Sequence, residues 1–123
     1  MSHSCYPNAL WHSEGEGAVL RARRDIRSGD EVCISYLAEH LLLQSTPVRR
    51  AELHETKSFW CECERCSSGV DLSRGLVCCK CRAGTVFAST PDVGPAMTGA
   101  ALLPSHLSGA CCDTCGHVVT HIE

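Results

Sequence analysis

The chain has 123 residues, 44% of them hydrophobic, with a formal charge of −3 and only two each of phenylalanine, tyrosine and tryptophan. That length allows one domain, or one small domain with a satellite module, and the shortage of aromatic rings limits what its core can be built from. The acidic balance argues against a sequence-independent grip on nucleic acid, which needs a basic surface.

In chain order, the first distinctive stretch is Ser2-His3-Ser4-Cys5-Tyr6-Pro7-Asn8. A cysteine two residues from a histidine fits a nucleophile, a metal ligand or an ordinary buried thiol. Residues 18–21 form a short strand candidate, followed by a cluster of Arg21, Arg23 and Arg24 that reads as a solvated strand end rather than a phosphate site. Arg27-Ser28-Gly29-Asp30 supplies turn chemistry. In residues 31–36 a period of two places Val32, Ile34 and Tyr36 on one face, so Tyr36 is expected to end a half-buried strand and point inward. Thr46-Pro47 predicts a helix over roughly 47–56, the threonine oxygen capping free amides and the proline fitting the first helical position. On it, Arg49 and Glu52 lie one turn apart and read as a solvated ion pair. Residues 1–66 thus read as a compact α+β unit. Residues 67–77 read as a linker and 78–123 as a second unit. Its stretch 89–109, rich in small residues and without a defensible period, reads as a loop insertion. Apolar runs such as 41–43 and 100–103 fall far short of the ~20 residues that cross a bilayer, so no membrane is expected as a partner.

Eleven cysteines in so short a chain mean either disulfides or metal sites. An odd count cannot pair fully within one chain, and no apolar signal segment precedes the cysteines. Most of them also stand in C-x-C or C-x-x-C spacings that suit a tetrahedral ion. Metal is therefore expected, in the reducing nucleus or cytoplasm. Cys61-Glu62-Cys63-Glu64-Arg65-Cys66 can bring three sulfurs to ~2.3 Å from one zinc, leaving a vertex for water or a distant residue. Cys5 is the natural candidate for that vertex. The second set is Cys78-Cys79-Lys80-Cys81 with Cys111-Cys112-Asp113-Thr114-Cys115. Choosing Cys78, Cys81, Cys112 and Cys115 gives C-x-x-C twice, with Gly84 and Gly116 placed to turn the chain after each pair, as in a zinc ribbon. One-residue slips to Cys79 or Cys111, and ligation by His117 or His121, are alternatives. A four-thiolate zinc is coordinatively closed, which makes the second site structural. Cys33, Cys79 and Cys111 read as ordinary buried thiols.

His3-Ser4-Cys5-Tyr6-Pro7-Asn8 is followed by Ile26-Arg27-Ser28-Gly29-Asp30-Glu31-Val32, which runs into Ile34-Ser35-Tyr36. After a helix comes Phe59-Trp60-Cys61-Glu62-Cys63-Glu64-Arg65-Cys66. This order resembles the C-terminal half of a SET domain with its post-SET zinc motif, most of all in the SET and MYND branch of protein lysine methyltransferases. The resemblance covers residues 2–66. It implies a methyltransferase that uses S-adenosylmethionine and two Zn²⁺ ions and acts on a lysine-bearing protein, histone or otherwise. Carried over by motif, Ser2 and His3 sit at the cofactor and Phe59 packs on its adenine. Tyr36 is the active-site tyrosine, also facing the cofactor, and Cys5 joins Cys61, Cys63 and Cys66 on zinc. Ser2 stands where the family usually has asparagine, and its shorter side chain lacks the amide. The Gly-x-Gly cofactor loop, the early strands and the MYND finger have no counterpart, so the resemblance implies a partial catalytic domain. It leaves a second reading, a non-catalytic zinc-binding protein-interaction module. The expected fold is a small, zinc-stabilised α+β unit, a partial SET β-fold with one short helix, followed by a zinc-ribbon-like module.

Overall fold

A computed structural model describes residues 1–89 and 107–120. Most of the loop insertion expected at 89–109, and the alternative ligand His121, lie outside the described residues. Strand β1 (Ser2–His3) is too short to hold itself and pairs in parallel with β4 (Cys33–Ile34). Asn8 acts as a strut beside that pair. Its side-chain nitrogen donates to the Glu31 carbonyl and its oxygen accepts from the Cys33 amide, both at 2.8 Å. Strands β2 (Ala9–Glu14) and β3 (Gly17–Ala22) form an antiparallel hairpin. Gly15, at φ +60, opens its two-residue turn in a conformation that an L side chain resists. Only β3 is expected from sequence. Ala9–Glu14 has no apolar alternation and becomes a strand because β3 pairs with it along its whole length.

The turn at 27–30 is in place, with the Arg27 amide donating to the Asp30 carboxylate and the Asp30 amide to the Arg27 carbonyl. Beyond it, the expected strand over 31–36 is cut to two residues, and Tyr36 is 41% exposed rather than inward. Ser35 is the cause. Its hydroxyl donates to the Leu37 carbonyl and accepts from the Leu37 amide, so the chain bends there and Leu37 enters the core in place of the tyrosine.

Helices α1 (Glu39–Leu42), α2 (Thr46–Lys57) and α3 (Glu64–Ser67) follow. One short helix is expected and three are present among the described residues, because single turns such as α1 and α3 are too brief to show a period. Ser45, not Thr46, is the N-cap residue of α2, and Pro47 lies in the first turn as expected. At the other end Ser58 takes a left-handed φ of 59 and returns its amide to the His54 carbonyl. The buried stripe of α2 is Thr46, Arg49, Arg50 and Leu53, a helical spacing in which two of four residues are arginine.

Residues 70–77, within the stretch expected to be a linker, form strand β5 (Val70–Val77), which pairs antiparallel with β6 (Thr85–Ser89). Gly75 permits the close approach of the two strands, since a Cβ there would lie 2.5 Å from Thr85 Cγ2 and 2.8 Å from Phe87 Cε1. A bridge from Val86 to Cys112 attaches the C-terminal segment to this hairpin, and one from Cys111 to Val118 folds that segment on itself.

Two small cores result among the described residues, and both are made largely of cysteine. One gathers Cys5, Leu37, Leu53, Cys61 and Cys66, with Leu41, Leu42 and Phe59 against it. The other gathers Cys78, Val86 and Cys112, with Leu107 and Val119. So little buried apolar surface needs a staple, and the clustered thiols are placed to supply one.

Candidate active site and metal centres

The first cluster joins residues that are far apart in sequence. The end of α2, the turn over 59–63 and α3 present Cys61, Cys63 and Cys66, and the chain just after β1 brings in Cys5. The four sulfurs lie within 4.8 Å of one another, with Cys5 and Cys66 at 3.6 Å. A tetrahedral ion with bonds of ~2.3 Å requires sulfurs about 3.8 Å apart, so the geometry fits a zinc-sized cation. N–H groups already point at the sulfurs: the Cys5 amide reaches Cys63 Sγ at 3.4 Å and Arg49 Nη2 reaches Cys66 Sγ at 3.5 Å. Hydrogen bonding with Cys5 and Cys61, and more weakly with Arg49, pulls the Cys66 thiol down to about 7, while contacts within the same cluster push the Cys5 and Cys61 thiols up.

The second cluster is built from two local knuckles. Cys78, Cys81, Cys112 and Cys115 again have sulfurs within 4.8 Å of one another, and the pairs Cys78–Cys115 and Cys81–Cys112 stand at 3.8 Å. Here backbone amides face the sulfurs, Gly84 to Cys81 at 3.3 Å and Thr114 to Cys112 at 3.4 Å. Amides of Ala83 and Gly84 hold the Cys81 thiol down at about 6. Gly84 turns the first knuckle by leaving room. A Cβ there would sit 2.5 Å from Cys112 Sγ. Gly116 turns the second with a φ of +69. Of the alternatives, Cys79 and Cys111 are exposed and stand outside the cluster, as Cys33 stands outside the first. The expectation of buried thiols at these three positions is thereby corrected: two lie at the surface and Cys33 is half-buried. His117 contributes its carbonyl to the Cys112 amide.

Beside the first cluster lies an aromatic group. The rings of His3 and Tyr36 are 5.3 Å apart, those of His3 and Phe59 5.7 Å, and those of Tyr36 and Phe59 6.3 Å. Burial lowers the pKa of His3 and so favours the neutral ring. Its Nδ1 accepts the Tyr36 amide at 3.0 Å. The proton therefore sits on Nε2, which faces Cys5 Sγ at 3.3 Å and donates to it. The Tyr36 hydroxyl donates to the Met1 carbonyl at 2.7 Å. Tyr36 also lines an apolar cleft of about 660 Å³ with Met1, Trp11, Leu20, Ile34 and Lys57. His3 lines a more polar cleft of about 620 Å³ with Asn8, Arg24 and Glu31. Ser2 is exposed and its hydroxyl donates to the Glu31 carboxylate.

Sequence reasoning missed the charged groups behind the first cluster. Arg49 is fully buried and not a solvated partner of Glu52: its Nη1 lies 2.6 Å from Asp71 Oδ2. Arg65 Nε lies 3.1 Å from Asp71 Oδ1. Burial works to raise the pKa of Asp71, but hydrogen bonds from Arg49, Arg65 and Ser73 outweigh it and hold the carboxyl well below the usual range. The available signal was the stripe at 46, 49, 50 and 53, whose spacing marks a buried face whatever the residue types.

The described residues thus bring together two four-cysteine centres, the first of them beside a group of three rings. The family model for the SET domain matches residues 1–37. Lysine methyltransferases are homologous over about half of the chain. N-lysine methyltransferase SMYD2-A of Xenopus laevis is 40% identical over 68 residues, which is 55% of this chain and 15% of that protein. Histone-lysine N-methyltransferase SMYD3 of Homo sapiens is 38% identical over 68 residues, with the same coverage. Potential protein lysine methyltransferase SET6 of Saccharomyces cerevisiae is 37% identical over 67 residues, 54% of this chain and 17% of that protein. The chain thus spans roughly a sixth of the length of the curated relatives it matches.

Proposed function

We propose that residues 1–66 form the C-terminal part of a protein-lysine N-methyltransferase site that uses S-adenosylmethionine, and that both cysteine clusters hold Zn²⁺. One observation carries the reading. His3 joins the two halves of such a site, with one ring nitrogen on the backbone of Tyr36 and the other on the sulfur of Cys5. The aromatic wall and the metal centre are thereby a single assembly.

S-adenosylmethionine, when bound, supplies a methyl group on a positively charged sulfur. His3, Tyr36 and Phe59, whose ring centroids lie 5.3 to 6.3 Å apart, would pack against its adenosyl part, with Ser2 at the edge. The lysine amine must lose its proton, against an ordinary pKa of ~10.4, and come within about 3 to 3.5 Å of the methyl carbon. The apolar cleft lined by Trp11, Leu20, Ile34 and Tyr36 disfavours the charged ammonium. The Tyr36 hydroxyl donates its hydrogen bond to the Met1 carbonyl, so the phenol oxygen presents lone pairs to the arriving amine and orients it. Cys5, Cys61, Cys63 and Cys66 around zinc act indirectly by keeping Phe59 and His3 in place. The partner is a lysine-bearing protein, histone or not, in the nucleus or cytoplasm. Among the described residues no helix is long and apolar enough to cross a membrane.

A second reading, a non-catalytic zinc-bound interaction module, draws on β5, where Leu72 and Val77 are 72% and 75% exposed. Calorimetry separates the two. The methyltransferase reading expects S-adenosylmethionine to release heat on binding to the zinc-loaded chain, and to do so more weakly in Phe59→Ala. An absence of heat at millimolar cofactor, with both ions bound, would leave the interaction module standing.

A further inference from the structure

Three arginines close around the first cluster, each on a different cysteine. Arg50 Nε donates to the Cys61 carbonyl at 2.8 Å, Arg65 Nη1 to the Cys5 carbonyl at 3.2 Å, and Arg49 Nη2 to the sulfur of Cys66 at 3.5 Å. Among the described residues no arginine side chain donates to a cysteine of the second cluster. One carboxylate completes the group. Asp71, 3% exposed, takes Arg49 on one oxygen and Arg65 on both.

Charge explains the composition. A divalent ion with four thiolates carries two net negative charges, and a buried charge is costly unless it is paired. Three guanidiniums and one carboxylate leave two positive charges, which matches. Asp71 also orients. Arg49 has no exposure and so no water to hold its fork. With Nη1 fixed on the Asp71 carboxylate at 2.6 Å and on the Gln44 carbonyl, and with one N–H of Nη2 on the Thr46 hydroxyl at 3.0 Å, the second N–H of Nη2 points at Cys66. Asp71 belongs to β5, whose last residue, Val77, directly precedes Cys78 of the second cluster.

We propose that Arg49, oriented by Asp71, is a positioning residue for the Cys66 thiolate, so that the strand leading into the second cluster controls how tightly the first cluster holds its ion. This rests on the reading of both clusters as zinc sites. The test uses the full chain loaded with Zn²⁺, or with Co²⁺ for spectroscopy, in competition with a chelator, the released cysteines being mapped by alkylation. Asp71→Asn is expected to weaken retention at Cys5, Cys61, Cys63 and Cys66 by about tenfold to a hundredfold, the usual range for a lost outer partner of a metal ligand. Retention at Cys78, Cys81, Cys112 and Cys115 should not change. Loss of the N–H···S bond should also move the thiolate-to-cobalt charge-transfer band of the first cluster to lower energy. Asp71→Asn leaves two arginines unpaired and can unfold the segment, so Arg49→Met with Asp71→Leu is the second variant. It removes the buried pair together and lets packing hold the fold, and the same weakening and band shift are expected. Variants that hold both ions like wild type, lose both equally, or leave the band unmoved would overturn the clamp alone. A wild-type chain that takes no ion into the first cluster would overturn the zinc reading, and the clamp with it.

Discussion

The two cysteine clusters have nearly the same sulfur geometry and differ in what surrounds them. The first joins Cys5 to a trio about sixty residues later, keeps three of its four cysteines buried and draws on arginine side chains. The second is made of two C-x-x-C knuckles, has Cys115 exposed and Cys81 half-buried, and draws on backbone amides. A local knuckle needs little else, because a turn of a few residues already aims its N–H groups at the sulfur. A cluster that gathers distant segments closes a long loop and removes charge from water, so it needs counter-charge from elsewhere in the fold. The first cluster can accordingly respond to the rest of the molecule, and the second is largely self-contained.

The strongest way to break this contrast is Cys63→Ser. Zinc binding to such a site is folding free energy, so residues 1–66 should lose their ordered fold and one zinc equivalent together, with any cofactor binding, while the second cluster keeps its ion. Native mass spectrometry and calorimetry read both. Retained cofactor affinity at wild-type strength would separate the metal from the aromatic group. Next is Leu53→Ala. Leu53 is fully buried against the first cluster, and the truncation should cost about 2 to 5 kcal/mol in urea unfolding of the zinc-loaded chain. Gly84→Ala acts on the other side, because its methyl must displace Cys112 Sγ from 2.5 Å. The expected cost is about 1 to 3 kcal/mol, read as weaker metal retention at the second cluster alone. The smallest effect is kinetic: with wild type and a mild chelator, cysteines of the more exposed second cluster should become alkylated first. The opposite order would mean that exposure does not govern release.

Several features were legible because their causes are local. The cysteine spacings marked both clusters, Pro47 marked the start of α2, and Arg27 to Asp30 marked their turn. Strand β2 was hidden because its pairing with β3, rather than its own pattern, makes it extended. Tyr36 was placed inward by a period of two that the Ser35 hydroxyl interrupts. In sequence Arg49 reads as solvated because arginine ordinarily is, and nothing nearby announces that Asp71 will meet it.

The amino-acid sequence alone therefore determined which atoms can ligate and the turns that present them, since thiol chemistry and knuckle geometry depend on neighbours a few positions away. Which side chains neutralise the first cluster, and which ring faces the cleft, was decided only when distant segments packed. Burial and counter-charge are properties of the space around a residue, and that space is filled by parts of the chain far from it in sequence.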